Sequence, residues 1–233
     1  MVFKRTSILL ALSALIILLL GTVTDVDMWL AQSMAGGGTS PFPMRNAWFA
    51  ETLSHKYFKR LMILAGACFV IPVIYDLWRP LAQWPARLRL RMRVVAVCAL
   101  LVPTVISILK RLSFSHCPWD MAVFGGVHPY VRLLDPAIGG IPYGHCMPAG
   151  HASSELWLIS LAVLWLPEHP RKAAAVAAVM LLLGFGVGWI QQLRGAHFLT
   201  HTLWSIWIAC ALVTLVWRIA TRKKHYVEQV QLS

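Results

Sequence analysis

Six long apolar runs divide this chain of 233 residues, and they constrain its fold more than any other feature. Each run is close to the ~20 residues that an α-helix needs to cross a bilayer. The runs cover residues 7–25, 60–78, 93–110, 152–167, 173–191 and 201–220. Apolar residues make up 58% of the chain and charged residues 13%, more apolar surface than one soluble core hides. The sequence predicts an all-α membrane bundle of six transmembrane helices, forming one domain over residues 1–233.

Basic residues cluster between these runs and give a net charge of +12. They do not form one continuous face of the kind that binds nucleic acid, so membrane anchoring on the cytoplasmic side is expected. The basic positions that fall on one side are Lys4, Arg5, Arg79, Arg87, Arg89, Arg91, Arg93, Arg171, Lys172, Arg218, Arg222, Lys223 and Lys224. We predict a multi-pass protein of the bacterial inner membrane with both termini in the cytoplasm. The first run follows a short basic start like that of a secretory signal, but it lacks a clean cleavage site, which favours an uncleaved helix.

The opposite, periplasmic side receives three polar clusters: Lys110 with Arg111, residues 148–151 and residues 194–201. Three separate stretches on one face indicate a functional site. A further basic group on this side, consisting of His55, Lys56, Lys59 and Arg60, predicts either contact with anionic headgroups or an interfacial helix.

The stretch PAGHAS precedes the fourth apolar run. Pro148 and Gly150 allow a tight turn whose backbone N–H groups, at the start of a helix, favour a bound anion such as phosphate. His151 follows directly, and an imidazole of near-neutral pKa can protonate a leaving alkoxide. Ser153 and Ser154 have an equally good structural role as helix caps.

The stretch QQLRGAHFLTH ends the fifth run and carries Arg194, His197 and His201. A neutral imidazole can attack phosphorus and hold a phosphoryl group covalently. Such a histidine needs a partner on its other ring nitrogen. His201 lies four residues beyond His197, on the same helical face if the sixth helix has already begun.

These stretches resemble the signature of the type 2 phosphatidic acid phosphatase and haloperoxidase superfamily, whose membrane members have six helices. Its pattern is a Lys, six residues and Arg-Pro; then Pro-Ser-Gly-His; then Ser-Arg, five residues, His, three residues and Asp. The corresponding stretches here are Lys110 with Cys117-Pro118, Pro148-Ala149-Gly150-His151, and Ile190-Gln191 with His197 and His201. The resemblance covers a signature-bearing core of about residues 93–215.

By this resemblance, His197 is the nucleophile and His151 the general acid, while Lys110 and Arg194 hold phosphate oxygens. His201 takes the place of the carboxylate that orients the nucleophile. The backbone of Gly150 contributes to the same phosphate site.

Three positions depart from the family pattern. Cys117 and Gln191 replace arginines, and His201 replaces the aspartate. Gln191 can still donate one neutral hydrogen bond, and Arg194 lies about one helical turn beyond it, within reach of the same place. The candidates for the second guanidinium are Arg111 and Arg132.

Glu155 lies four residues after His151, inside an apolar run. An ionisable group at membrane depth predicts a partner in the bundle interior. Either Glu155 supplies negative charge to His197 or His201 or acts on His151, or it is protonated and bonded to a backbone carbonyl.

Cys117 and Cys146 flank two of the signature stretches. In an oxidising periplasm they predict a disulfide. The alternative is a zinc site formed by His116-Cys117 and His145-Cys146. The disulfide is favoured, because the chemistry that the resemblance implies needs no metal and no cofactor.

The predicted function is removal of a phosphate from a lipid phosphate or diphosphate at the periplasmic face, through a phosphohistidine. The expected substrates and partners are phospholipids, polyprenyl diphosphates or lipids of the lipid A type within the membrane. Transfer of the phosphoryl group to a second lipid is an alternative outcome of the same intermediate. A catalytically inactive scaffold that binds anionic lipid is a second alternative. A small transporter is least favoured, because paired, interrupted apolar segments are missing from the sequence.

Overall fold

The computed structural model describes residues 2–36, 41–135, 142–150 and 153–231, and within them the chain is helical, with no β-strand. The α-helices in these residues are α1 (Val2–Val23), α2 (Val26–Met34), α3 (Phe58–Trp78), α4 (Ala86–Arg111), α5 (Ser153–Leu156), α6 (Pro170–Leu193) and α7 (Leu199–Gln231). A π-helical segment, Phe49–Tyr57, leads into α3, and a 3₁₀ segment, Trp157–Trp165, continues α5. The all-α prediction is confirmed.

Five helices in the described residues are long and apolar enough to cross a membrane, which indicates a multi-pass membrane protein. They are Lys4–Val23, Phe49–Trp78, Ala86–Arg111, Pro170–Leu193 and Leu199–Arg222. The fourth predicted run, 152–167, is represented by the shorter apolar helix Ser154–Trp165. The second span begins earlier than predicted, because the π-helical segment extends it back to Phe49.

The short fourth segment lies in the centre of the bundle. Leu156, Trp157, Ile159 and Val163 are all buried, and they pack in one cluster with core residues of α4 and α7. The segment runs antiparallel to α4. Gly150, just before it, lies against Lys110, and Leu166, just after it, accepts hydrogen bonds from Nε and Nη2 of Arg91 at 3.0 and 2.6 Å.

At the end of the bundle that carries Arg91, acidic side chains form ion pairs with arginines of α4. Asp76 is buried at the end of α3 and accepts hydrogen bonds from Arg89 (2.9 Å) and Arg93 (3.2 Å) on α4. Glu168 forms ion pairs with Arg87 and Arg91. Two links that the sequence analysis places on the cytoplasmic side, before α4 and before α6, therefore meet at one end.

The other end of the bundle is covered by loops. Backbone N–H groups of Gly144, His145 and Cys146 donate to carbonyls of residues 113–115, so these two loop segments run side by side. Gly195, in the turn between α6 and α7, has a φ of +73°, and a Cβ there would come within 2.3 Å of the buried ring of Phe42. Glycine is required at this turn on both grounds.

Candidate active site

The turn before α5 is fixed on two sides. The N–H of Ala149 donates to the carbonyl of His201 at 3.1 Å, and the hydroxyl of Ser205 donates to the carbonyl of Ala149 at 3.2 Å. Lys110 lies over the next residue, because a Cβ on Gly150 would stand 3.1 Å from Cδ and 3.5 Å from Nζ of that lysine. The first two signature stretches therefore meet at Gly150, and the second also contacts the start of α7.

His197 and His201 lie side by side and buried, with ring centroids 5.9 Å apart and a T-shaped arrangement. Helix α7 begins at Leu199, so His197 precedes it and belongs to the turn, whereas His201 is in the first helical turn. The two rings therefore do not share a helical face, although they lie side by side.

Arg194 and Gln191 form a second pair at the end of α6. Nη1 of Arg194 donates to Oε1 of the buried Gln191 at 3.0 Å, and Nε donates to the carbonyl of Arg45 at 3.0 Å. The arginine thus lies one turn from the residue at the family's arginine position and contacts its side chain. A guanidinium held by two acceptors has a fixed orientation.

Cys117 and Cys146 are joined by a disulfide with a Cα–Cα distance of 5.3 Å. The bond takes up both sulfurs, and thiolate is the form of cysteine that ligates zinc. The two histidines of the alternative zinc site have other neighbours, since the ring of His116 stacks on His128 with centroids 3.9 Å apart and His145 stacks on Tyr143. Burial lowers the pKa of His116, and the nearby His128 adds to this effect.

The disulfide lies against the predicted nucleophile. Sγ of Cys146 is 3.4 Å from Nδ1 of His197 and 3.1 Å from the carbonyl oxygen of Ala196. Sequence reasoning placed the cysteines near the signature stretches but did not find this contact, because Cys146 and His197 are 51 positions apart and no sequence pattern pairs them.

The remaining predicted residues take different places. His151 lies outside the described residues. Glu155 is buried in the bundle interior and accepts a hydrogen bond from Ser154 at 2.7 Å. Arg111 is exposed at the end of α4, and Arg132 is held in an ion pair with Asp25, so neither is brought against the turn that Lys110 covers.

A carboxylate that the sequence analysis did not single out supports the site from α2. Asp27 is buried and accepts hydrogen bonds from both the backbone N–H (3.0 Å) and the hydroxyl of Thr200. It thereby acts as the N-terminal cap of α7, whose own preceding residue, Phe198, has no side-chain acceptor. Burial raises the pKa of Asp27, and the hydrogen bonds from Thr200 oppose that shift. The available signal was the pair of aspartates, Asp25 and Asp27, at the end of the first apolar run.

We expect Asp27→Ala to destabilise the protein by about 1–3 kcal/mol, because two donors of Thr200 lose their buried acceptor. Asp27→Asn should retain most of the stability, since its amide oxygen still accepts from the backbone N–H. Thermal unfolding in detergent measures both variants. Equal unfolding temperatures for Asp27→Ala and wild type would show that the cap contributes nothing.

The fold and this cluster define a multi-pass helical membrane protein with buried histidines at one end of its bundle. The family model of the PAP2 superfamily matches residues 91–225, more than half of the chain. The chain therefore belongs to the PAP2 superfamily, whose members are phosphoesterases and haloperoxidases, and phosphatase-type activity follows as its general class. Neither the curated proteins nor the solved structures gave a match.

Proposed function

We propose that the protein is a lipid phosphatase of the bacterial inner membrane, with both termini in the cytoplasm and its active site facing the periplasm. His197 attacks phosphorus and carries the phosphoryl group, and His151 protonates the leaving oxygen. Lys110 and Arg194 hold the phosphate oxygens, and the N–H groups of the turn at Gly150 add neutral donors. Water then releases phosphate from the histidine.

The observation that carries this proposal is the meeting of three signature stretches at one end of the bundle. Lys110 covers the turn at Gly150, and Ala149 in that turn is bonded to the backbone of His201. His197 lies beside His201, and Arg194 is held one turn away by Gln191. A cation, a turn with backbone donors and a buried imidazole are the parts that phosphoryl transfer requires.

The short fourth segment serves as a sixth membrane crossing in this proposal. Its ends contact Lys110 and Arg91, which are separated along α4 by about 28 Å at ~1.5 Å per residue. That distance is close to the ~30 Å thickness of a hydrocarbon core. A 3₁₀ segment rises about 2 Å per residue, so fewer residues cover the same distance. The crossing places the turn at Gly150 at the membrane face opposite Glu168.

A groove between α3 and α4 supports a lipid as the substrate. It has a volume of about 420 Å³ and is lined mainly by apolar side chains, among them Val70, Ala99, Pro103 and Trp157. Lys59 and Ser154 line it as well. Both lie at the starts of their helices, at the end of the bundle that carries Lys110. An acyl or prenyl chain in this groove would place its phosphate at the proposed site without leaving the bilayer.

We expect Ala67→Phe to lower kcat/KM for long-chain lipid phosphates about tenfold, because Ala67 lines the groove and a ring there excludes methylene groups of the chain. Hydrolysis of a short-chain, water-soluble analogue should change less than about twofold. Ala178→Phe on the exposed face of α6 is the matched control. An equal loss on both substrate types would contradict a tail-binding groove.

The decisive test of function is phosphate release by the purified protein from a panel of phosphatidic acid, phosphatidylglycerol phosphate, polyprenyl diphosphate and lipid A species. The proposal expects turnover of at least one of them. Binding of these lipids without release from any would instead assign the chain to the inactive, lipid-binding alternative.

A further inference from the structure

The residue that faces Nδ1 of His197 at 3.4 Å is Cys146, a half-cystine. In phosphoryl transfer by a histidine, one ring nitrogen attacks while the other needs an acceptor that fixes the tautomer. The family pattern puts an aspartate at position 201 for this purpose, and this chain has a histidine there. The ring centroids of His197 and His201 are 5.9 Å apart in a T-shaped arrangement.

From this contact we infer that Cys146 is a positioning residue for His197, a role that rests on the proposed function of His197. The sulfur of a disulfide carries no hydrogen, so a hydrogen bond across this contact has Nδ1–H of His197 as its donor. That assignment leaves the lone pair on Nε2, the nitrogen that would attack phosphorus. The disulfide to Cys117 holds the sulfur in place, and the carbonyl of Ala196 lies 3.1 Å from the same sulfur.

The burial of Cys146 and His197 favours a hydrogen bond between them. Cys146 has no exposed surface and His197 is 2% exposed, so water does not compete well for Nδ1. A sulfur acceptor carries no negative charge, unlike a carboxylate. It therefore orients the neutral ring without strongly stabilising the imidazolium.

The two cysteines provide a matched pair of variants that separates this role from cross-linking. Cys117→Ala and Cys146→Ala both break the disulfide and lose the same stabilisation of the loop between them. Only Cys146→Ala removes the sulfur from Nδ1. In Cys117→Ala the Cys146 thiol still accepts from His197 and gains a hydrogen to donate to the carbonyl of Ala196.

We expect kcat of Cys146→Ala to fall on the order of tenfold or more below that of Cys117→Ala, with KM similar in the two. Cys146→Ser, whose hydroxyl also accepts, should recover part of this loss. Equal kcat values in the two alanine variants would overturn the positioning role and leave the proposed function standing.

Nitrogen-15 NMR of the histidine side chains in detergent micelles gives a readout that needs no activity. His197 should be protonated at Nδ1 in wild type and in Cys117→Ala, and should shift toward a tautomer mixture in Cys146→Ala. If wild type hydrolyses no lipid phosphate but the tautomers differ in this way, the contact is supported and the phosphatase proposal fails. If the tautomer of His197 is the same in all three proteins, Cys146 does not position it.

Discussion

His197→Ala is expected to abolish lipid phosphate hydrolysis, with kcat reduced by about 10⁴-fold or more. The residue is buried at the turn between α6 and α7, beside His201 and the sulfur of Cys146, and the proposed mechanism has no second group that forms the covalent intermediate. Phosphate release from the best substrate of the panel measures the effect. Wild type incubated with that substrate should also acquire an acid-labile phosphoryl group, and His197→Ala should not.

The control for this variant is His169→Ala. His169 is exposed in the link before α6, at the end of the bundle that carries Glu168, so its loss removes one imidazole without touching the site. We expect its kcat to stay within about twofold of wild type, since exposed substitutions of this kind have small effects. Near-normal phosphate release by His197→Ala would eliminate the proposed nucleophile.

Lys110→Met is expected to lower kcat/KM by about 10²–10³-fold while the protein still folds. The lysine side chain lies over Gly150, and in the proposed mechanism its ammonium group stabilises the charge that develops on phosphate oxygens. Methionine keeps a similar length and apolar stem, so the packing against the turn is largely retained. Steady-state kinetics on the best lipid substrate measures the loss.

Lys56→Met is the matched control for Lys110. Lys56 is exposed and pairs with Glu51 at 3.1 Å, an ion pair of the surface type that contributes little. The Lys56→Met variant removes one positive charge from the protein, as Lys110→Met does, but leaves the charge at the Gly150 turn in place. If both lysine variants lost activity equally, the overall positive charge near the membrane, and not a contact with the transferred phosphate, would explain the effect of Lys110.

The apolar runs gave a good account of the helices, because a membrane-spanning helix is a local property of composition and length. Helices α1, α3, α4, α6 and α7 each overlap a predicted run. The exception was the fourth run, which in the structure combines α5 with a 3₁₀ segment and is shorter than a standard span. Length alone does not show that this segment lies antiparallel to α4, between Lys110 and Arg91.

The sequence predicts candidate site residues within each signature stretch. The spacing of the signature stretches predicts Lys110, Gly150, Arg194 and His197 as neighbours of phosphate, and the resemblance supplies their roles. The sequence also left Arg111 as a candidate for the second guanidinium, because the exposure of adjacent residues at a helix end depends on which face the bundle covers. The structure leaves Arg111 exposed and puts Lys110 over the turn.

The sequence by itself determined that this chain forms apolar helices, carries basic links between them and has clusters of lysine, arginine and histidine at the ends of two of them. Only the tertiary structure decided which groups support His197 and α7. Asp27 caps Thr200 across 173 positions of the chain, and Cys146 contacts His197 across 51. Periodicity and local propensity act over a few residues, whereas these contacts exist because the packing of the bundle brings distant segments to one end.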